Sequence, residues 1–256
     1  MTSLILVTGG TGTLGRQVAA RLRDAGCKVR VLSRHGHPPG DGVEFVAGDL
    51  LAGEGVGPAV DGAGAIVQCA SGNKGDAEAT RNLVRAASSL PEAPHLVYIS
   101  IVGSDLVSFG YVRAKLECER IVAGSGLPWT TLRATQFYDL IFRGARTLAK
   151  LPVVPVPAGF VIQPVDSGEV AARLADLALG EPAGRVPDMG GPQVLSFADL
   201  LHAYLRVSHR RRPVVPVWMP GIRAVRAGAL LIPPGDAAPG HITGQRTWDD
   251  FLTEHL

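Results

Sequence analysis

Tyr111 and Lys115, in the run YVRAK, stand four residues apart, a spacing that on a helix stacks both side chains on one face. A phenol beside an ammonium can act as an acid whose proton loss the cation eases. The spacing alone decides little, because the two residue types meet at this separation by chance on many helices. TGGTGTLG, residues 8–15, is more specific, with glycines at Gly9, Gly12 and Gly15. Glycine there lets the chain turn tightly, approach a pyrophosphate without a Cβ in the way, and pack a helix close to a sheet. Thr11, Thr13 and Leu14 complete the loop, and N–H groups at the helix start would face the phosphates. A site for NAD(H) usually offers an acid about 20 residues further on to bind the ribose 2′-OH; this chain offers Ser33 and Arg34. A carboxylate would repel a 2′-phosphate, whereas Arg34 would pair with it, with Arg16 as a second cation. NADP(H) is therefore favoured over NAD(H).

These side chains need a frame, and the pattern supplies one. Short β-rich runs (LILVTGG, KVRVLSR, VEFVAGDL, AIVQCASG, HLVYISIVG, PWTTLRATQF) alternate in the first half with helical ones (RQVAARLRDAG, DAEATRNLVRAASSL and the segment around YVRAK). Strands apolar on both faces and separated by helices predict an α/β fold with a doubly wound parallel sheet. On the YVRAK helix, Tyr111, Lys115, Cys118 and Val122 are expected to form an inward stripe, with Arg113, Glu117 and Arg120 on the solvated side. After about residue 150 the chain changes to proline-rich stretches (LPVVPVPAGF, PVVPVWMPG) between helical ones, with Asp166 and Glu169 forming a capping-box pattern. The expected organisation is a nucleotide-binding part over residues 1–150 and a smaller, mostly helical lobe over 151–256 that completes the same domain and binds substrate.

The 256 residues carry 25 basic and 23 acidic side chains, a net charge of +2, which argues against a surface dedicated to nucleic acid or membrane by bulk charge. Three cysteines without metal-type spacing read as free thiols in a reducing compartment. The N-terminal run fits a first strand better than a signal peptide, and apolar runs end well short of the ~18 residues that span a bilayer. A soluble cytoplasmic protein, monomer or homodimer, is expected. No metal site is expected: His35, His37, His202 and His209 lack a ligand arrangement, and the HRRRP run reads as a solvated helix end.

Taken together, the motifs resemble those of the short-chain dehydrogenase/reductase superfamily, in particular its atypical NmrA-like branch, over nearly the full length. TGGTGTLG resembles that family's glycine loop. Asp49 and Leu50 resemble its adenine-contacting turn, and Cys69, Ala70 and Ser71 resemble the segment lying along the cofactor. Ser100, Tyr111 and Lys115 fall where the superfamily carries its catalytic Ser, Tyr and Lys. The resemblance implies hydride transfer from NADPH to a small carbonyl or quinone-like molecule. Tyr111 would supply the proton, Lys115 would hold the ribose, and Ser100 would bond the substrate oxygen. Ser100 lies closer to Tyr111 than is usual in the superfamily, which leaves Ser100 free for a backbone or cofactor role and brings Ser104 and Ser108 into consideration. Gln136, Phe137 and Tyr138 follow the sixth strand and are expected to contact substrate; Phe160, Gln163 and Trp218 are further candidates. Two other readings share the fold: a non-catalytic NAD(P) sensor that regulates a partner, and a sugar-nucleotide epimerase, for which the C-terminal half shows no clear signature.

Overall fold

The computed structural model describes residues 4–35, 42–72, 74–107, 110–221, 223–232 and 240–256. His37 and Ser108 lie outside the described residues. In chain order the first elements are β1 (Leu4–Thr8), α1 (Thr13–Asp24), β2 (Lys28–Ser33), β3 (Val43–Ala47), α2 (Val56–Val60) and β4 (Ala63–Gln68). They are followed by α3 (Asp76–Ser88), β5 (His95–Ile101), α4 (Gly110–Ala123), β6 (Trp129–Ala134), α5 (Tyr138–Leu148), β7 (Val154–Pro157), β8 (Val161–Ile162) and α6 (Ser167–Leu179). The remainder are β9 (Gly184–Arg185), β10 (Met189–Gly190), β11 (Leu195–Ser196), α7 (Phe197–Val207), β12 (Val214–Val217), α8 (Arg223–Arg226), β13 (Ile242–Thr243) and α9 (Trp248–His255). Among the described residues no helix is long and apolar enough to cross a membrane.

The chain divides into two compact units. The first comprises Met1–Ser100, Ser108–Leu132 and Val170–Val186; the second comprises Ile101–Val107, Arg133–Glu169 and Pro187–Leu256. In the first unit the strand order β6-β5-β4-β1-β2-β3 is that of a doubly wound α/β sheet, with β1–β2, β1–β4, β2–β3 and β4–β5 all paired in parallel. Strands this apolar (LILVT, HLVYISI) need cover on both faces, because any face left in water forfeits its burial energy. One side of that cover is a core of Leu6, Ile66, Leu83, Leu96, Tyr98, Cys118 and Val122. Truncating a wholly buried leucine such as Leu83 in such a core costs about 2–5 kcal/mol. The order reverses between β1 and β4, so a crevice opens beyond their C-terminal ends, where Thr8 ties the two following loops together: its carbonyl accepts the Cys69 N–H at 3.1 Å and its hydroxyl the Ala70 N–H at 3.3 Å.

His95, at the start of β5, is 8% exposed, with a ring nitrogen 2.8 Å from the Thr130 hydroxyl, and burial holds it below the ordinary histidine range. A folded value below the unfolded one means that the fold favours the neutral ring. This stabilisation is complete above the unfolded value of about 6.5 and is lost as pH falls through the lower folded value. The melting temperature is expected to drop between about pH 7 and pH 5, and to drop less in His95→Gln; identical slopes in the two proteins would contradict this assignment.

The second unit is more strand-rich than its sequence suggests. The two proline-rich stretches pair in parallel as β7 and β12, Val154 opposite Val214 and Val156 opposite Pro216, and β8 pairs antiparallel with β11. Prolines are tolerated because these are two-stranded ribbons, in which an N–H can face outward without breaking a ladder. Asp166 caps α6 as its type predicts, accepting the N–H groups of Gly168 and Glu169 at 2.7 and 3.1 Å. Glu169 does not complete a capping box; its carboxylate accepts the N–H groups of Gln245 and Arg246 at 2.8 and 3.3 Å.

Candidate cofactor cleft and active site

The crevice of the first unit is a 360 Å³ cleft lined by the loops that follow β1, β2, β3 and β4. From the β1 loop come Gly9, Thr11 and Gly12. Gly9 has φ +68°, and a Cβ on it would stand 2.7 Å from the Ala70 backbone; a Cβ on Gly15 would strike the Gly9 carbonyl oxygen. The loop is thus closed on itself, with the Gly12 N–H bonded to the Gly9 carbonyl at 2.9 Å, and only glycine keeps it so. Gly12 precedes α1 and supplies no side-chain cap, which leaves first-turn N–H groups of the helix for an external anion. These features fit a dinucleotide pyrophosphate.

Ser33 and Arg34, at the end of β2, line the same cleft, Ser33 buried and Arg34 exposed. Asp49 and Leu50 line it as well. The Asp49 carboxylate accepts the Leu51 N–H at 2.8 Å and so shapes the turn that carries Leu50. Cys69, Ala70 and Ser71 form the wall after β4. Enclosure pushes the half-buried Cys69 thiol up to about 12 against the pull of the Lys115 cation. Thr13, Leu14 and Gly15 start α1 and support the loop without lining the cleft, and Arg16 is exposed on the same helix.

The cleft also contains residues that motif reading did not single out, chiefly Lys74 and Asp76. Asp76 opens α3 and is 7% exposed. Its carboxylate accepts the Gly72 N–H and the Ser71 hydroxyl, each at 2.7 Å, and lies 3.9 Å from the Lys115 ammonium. An acid in the first turn of the helix following such a loop was the available signal.

On α4 the buried stripe is Val112, Lys115, Cys118 and Val122; Tyr111 is 47% exposed, which corrects its expected place on that stripe. Val112 reaches Lys115 and Cys118 by steps of three; Tyr111, four residues before Lys115, shares their face, but at the first turn of α4 its side chain is left largely uncovered. Arg113, Glu117 and Arg120 are exposed as expected, Glu117 paired with Arg81. The Tyr111 phenol oxygen nevertheless lies 3.3 Å from the Ser71 Oγ, and the buried Lys115 ammonium stands 5.9 Å from the Tyr111 ring centre and 5.3 Å from that of Tyr98. Tyr111, Ser71, Asp76 and Lys115 therefore form one connected group. Ser100, on β5, is buried, and its hydroxyl has no partner among the described residues.

In the second unit Ser104 is buried, and Gln136 carries an amide whose nitrogen and oxygen are both enclosed without a partner among the described residues. Phe137 caps α5 and is half-buried. Tyr138 is wholly buried: its hydroxyl donates to the Arg246 carbonyl at 2.9 Å and its ring packs 5.4 Å from Trp248 and 5.5 Å from Phe251. Burial, reinforced by Glu169 and Asp166, raises this phenol further above its ordinary value. Gln163 spends its amide on Gly191 and Ile232, Phe160 packs edge-on against Phe197, and Trp218 is exposed beside Arg226. His35, His202, His209 and the arginines of the HRRRP run are exposed.

Residues 9–155 match the family described as NAD(P)H-binding. The chain is 32% identical over 215 residues to a (4-alkanoyl-5-oxo-2,5-dihydrofuran-3-yl)methyl phosphate reductase of Streptomyces griseus, covering 81% of this chain and 74% of that one. Among solved structures it resembles the triphenylmethane reductase of Citrobacter complexed with NADP(H), with TM-score 0.81, 19% identity, and 98% and 100% of the two chains covered. It likewise resembles the NADPH-dependent quinone oxidoreductase of Escherichia coli complexed with NADPH, with TM-score 0.80, 19% identity, and 98% and 99% covered. At these identities the two structures speak to the fold.

Proposed function

The chain belongs to the NAD(P)H-binding family, of oxidoreductase type, and from that premise we propose that it is an NADPH-dependent reductase of a small carbonyl or quinone-like molecule, of the short-chain dehydrogenase/reductase type and its NmrA-like branch. The observation that carries the proposal is the group in which Tyr111 and Lys115 meet Ser71 and Asp76, two of the residues that line the cofactor cleft. Likeness to a reductase of an oxo-dihydrofuran phosphate supports an electron-poor carbonyl compound as acceptor.

Once bound, the nicotinamide supplies hydride to the acceptor carbon. The chain's own residues do the rest. N–H groups of the glycine loop and the α1 start hold the pyrophosphate, and Arg34 with Ser33 receives the 2′-phosphate. Lys115 holds ribose hydroxyls, which are suitable partners for an ammonium that is 3% exposed. Tyr111 gives its proton to the oxygen on which negative charge develops. Ser100 is the candidate donor to that oxygen, and Gln136 and Phe137 are candidate substrate contacts, the enclosed Gln136 amide being suited to a polar group on the ligand. The burial of Tyr138 gives it the role of supporting α5.

The test is NADPH binding by nicotinamide fluorescence, followed by a panel of quinones, aromatic ketones, aldehydes and acyl-dihydrofuranones assayed by loss of nicotinamide absorbance. Saturable oxidation of NADPH with at least one acceptor is expected. Tight binding with no acceptor reduced would favour a cofactor sensor instead.

A further inference from the structure

We propose that Asp76 is a positioning residue for both Tyr111 and Lys115, directing the phenol through the Ser71 hydroxyl and holding the ammonium by direct charge; the proposal rests on reading that pair as the working one. A carboxylate buried to this degree needs compensation. Asp76 has it on both oxygens: Oδ1 accepts the Gly72 N–H at 2.7 Å, while Oδ2 accepts the Ser71 hydroxyl at 2.7 Å and faces the Lys115 Nζ at 3.9 Å. The N-terminal turn of α3 adds a favourable dipole. At 3.9 Å the ammonium is attracted by charge but lies beyond hydrogen-bond length, so its N–H groups remain available to incoming hydroxyls.

Ser71 has one proton and two oxygens within reach, Asp76 Oδ2 at 2.7 Å and the Tyr111 phenol at 3.3 Å. The shorter, charge-assisted bond takes the proton. Ser71 Oγ then presents a lone pair to Tyr111, and the phenol donates to it until a bound acceptor oxygen takes over that donation. When Tyr111 gives its proton to the substrate oxygen, the phenol O–H bond breaks and a substrate O–H bond forms. The Ser71 hydroxyl then rotates from Asp76 to the phenolate without losing its own proton. The proton consumed overall comes from solvent, a hydronium ion becoming water as it reprotonates Tyr111, a residue 47% exposed, and no proton passes through Asp76. Asp76 thus acts on the reaction through Ser71 and Lys115.

Two readouts need no turnover. The first is NADPH affinity across an Asp76→Asn, Lys115→Met double-mutant cycle. The loss caused by Lys115→Met should be smaller by about threefold or more once Asp76 no longer holds the ammonium in place; an equal or larger loss in the Asp76→Asn background overturns the charge coupling. The second is the NMR ring signal of Tyr111, identified by its disappearance in Tyr111→Phe. It should move in Asp76→Asn and in Ser71→Ala and return in Ser71→Thr, and an unmoved signal in Asp76→Asn overturns the link through Ser71. If Asp76→Asn does not fold, Asp76→Glu and Ser71→Ala carry the same comparisons. In turnover, kcat should fall about tenfold in Ser71→Ala and in Asp76→Asn with KM little changed, and the double variant should be no slower than the slower single one. A change in melting temperature alone, with kcat intact, would leave Asp76 a loop fastener and contradict the proposal. If the unmutated protein reduces no acceptor while the cycle and the NMR signal show coupling, the positioning stands and the reductase reading fails.

Discussion

Tyr111→Phe is expected to lower kcat for the best acceptor by about 100-fold or more, the scale of general acid catalysis, while leaving NADPH affinity within about twofold. The reason is geometric. The Tyr111 ring is half exposed at the first turn of α4 and its hydroxyl contacts Ser71, so removing that hydroxyl leaves the glycine loop, Arg34 and the Lys115 ammonium as they were. Lys115→Ala should behave differently and damage both affinity and turnover. That side chain is asked to hold the ribose, and its loss leaves the Asp76 carboxylate without a cation at 3.9 Å. If Tyr111→Phe is as fast as the unmutated protein across pH 6 to 9, the phenol is not the acid, and direct hydride transfer to an electron-poor acceptor becomes the better account.

Arg34→Ala is expected to weaken NADPH binding by about tenfold or more and to leave NADH binding nearly unchanged. A charge-assisted bond to a phosphate contributes on the order of 1.5–3 kcal/mol, and each 1.4 kcal/mol is tenfold. Arg34 is exposed, so the lower end of that range applies, and the effect should shrink as salt rises. Lys74, a second cation lining the cleft, remains in the variant and limits the loss. Equal calorimetric affinity of the unmutated protein for NADPH and NADH would contradict the assignment of Ser33 and Arg34.

The candidate cleft was largely legible because its parts are local. A glycine loop, a strand end and a turn each announce themselves within about ten residues, and Gly9, Arg34, Asp49 and Ser71 all line one cleft. Asp76 escaped because an acid in the first turn of a helix is ordinary dipole chemistry, and only the folded chain brings it to Lys115. On the YVRAK helix periodicity finds the buried face but not how far neighbours cover a first-turn side chain, so Tyr111 is exposed while Val112, one residue on, is buried. Tyr138 read as a pocket residue because its packing partners, Trp248 and Phe251, lie over 100 residues away in sequence. The short strands of the second unit, several of two residues, are too brief for a period to register, and the pairing of β7 with β12 is invisible in two stretches that read simply as proline-rich.

The central claim is that the chain moves hydride from the nicotinamide to an acceptor carbon while Tyr111 supplies the proton. The most direct measurement uses NADPH carrying deuterium at the transferred position, with an aromatic aldehyde or ketone that the protein reduces, and mass spectrometry of the product. The account predicts one deuterium on the former carbonyl carbon in every turnover, with the same label but a rate about 100-fold lower in Tyr111→Phe. Product formed without deuterium, or NADPH bound and never oxidised by any acceptor, would contradict it.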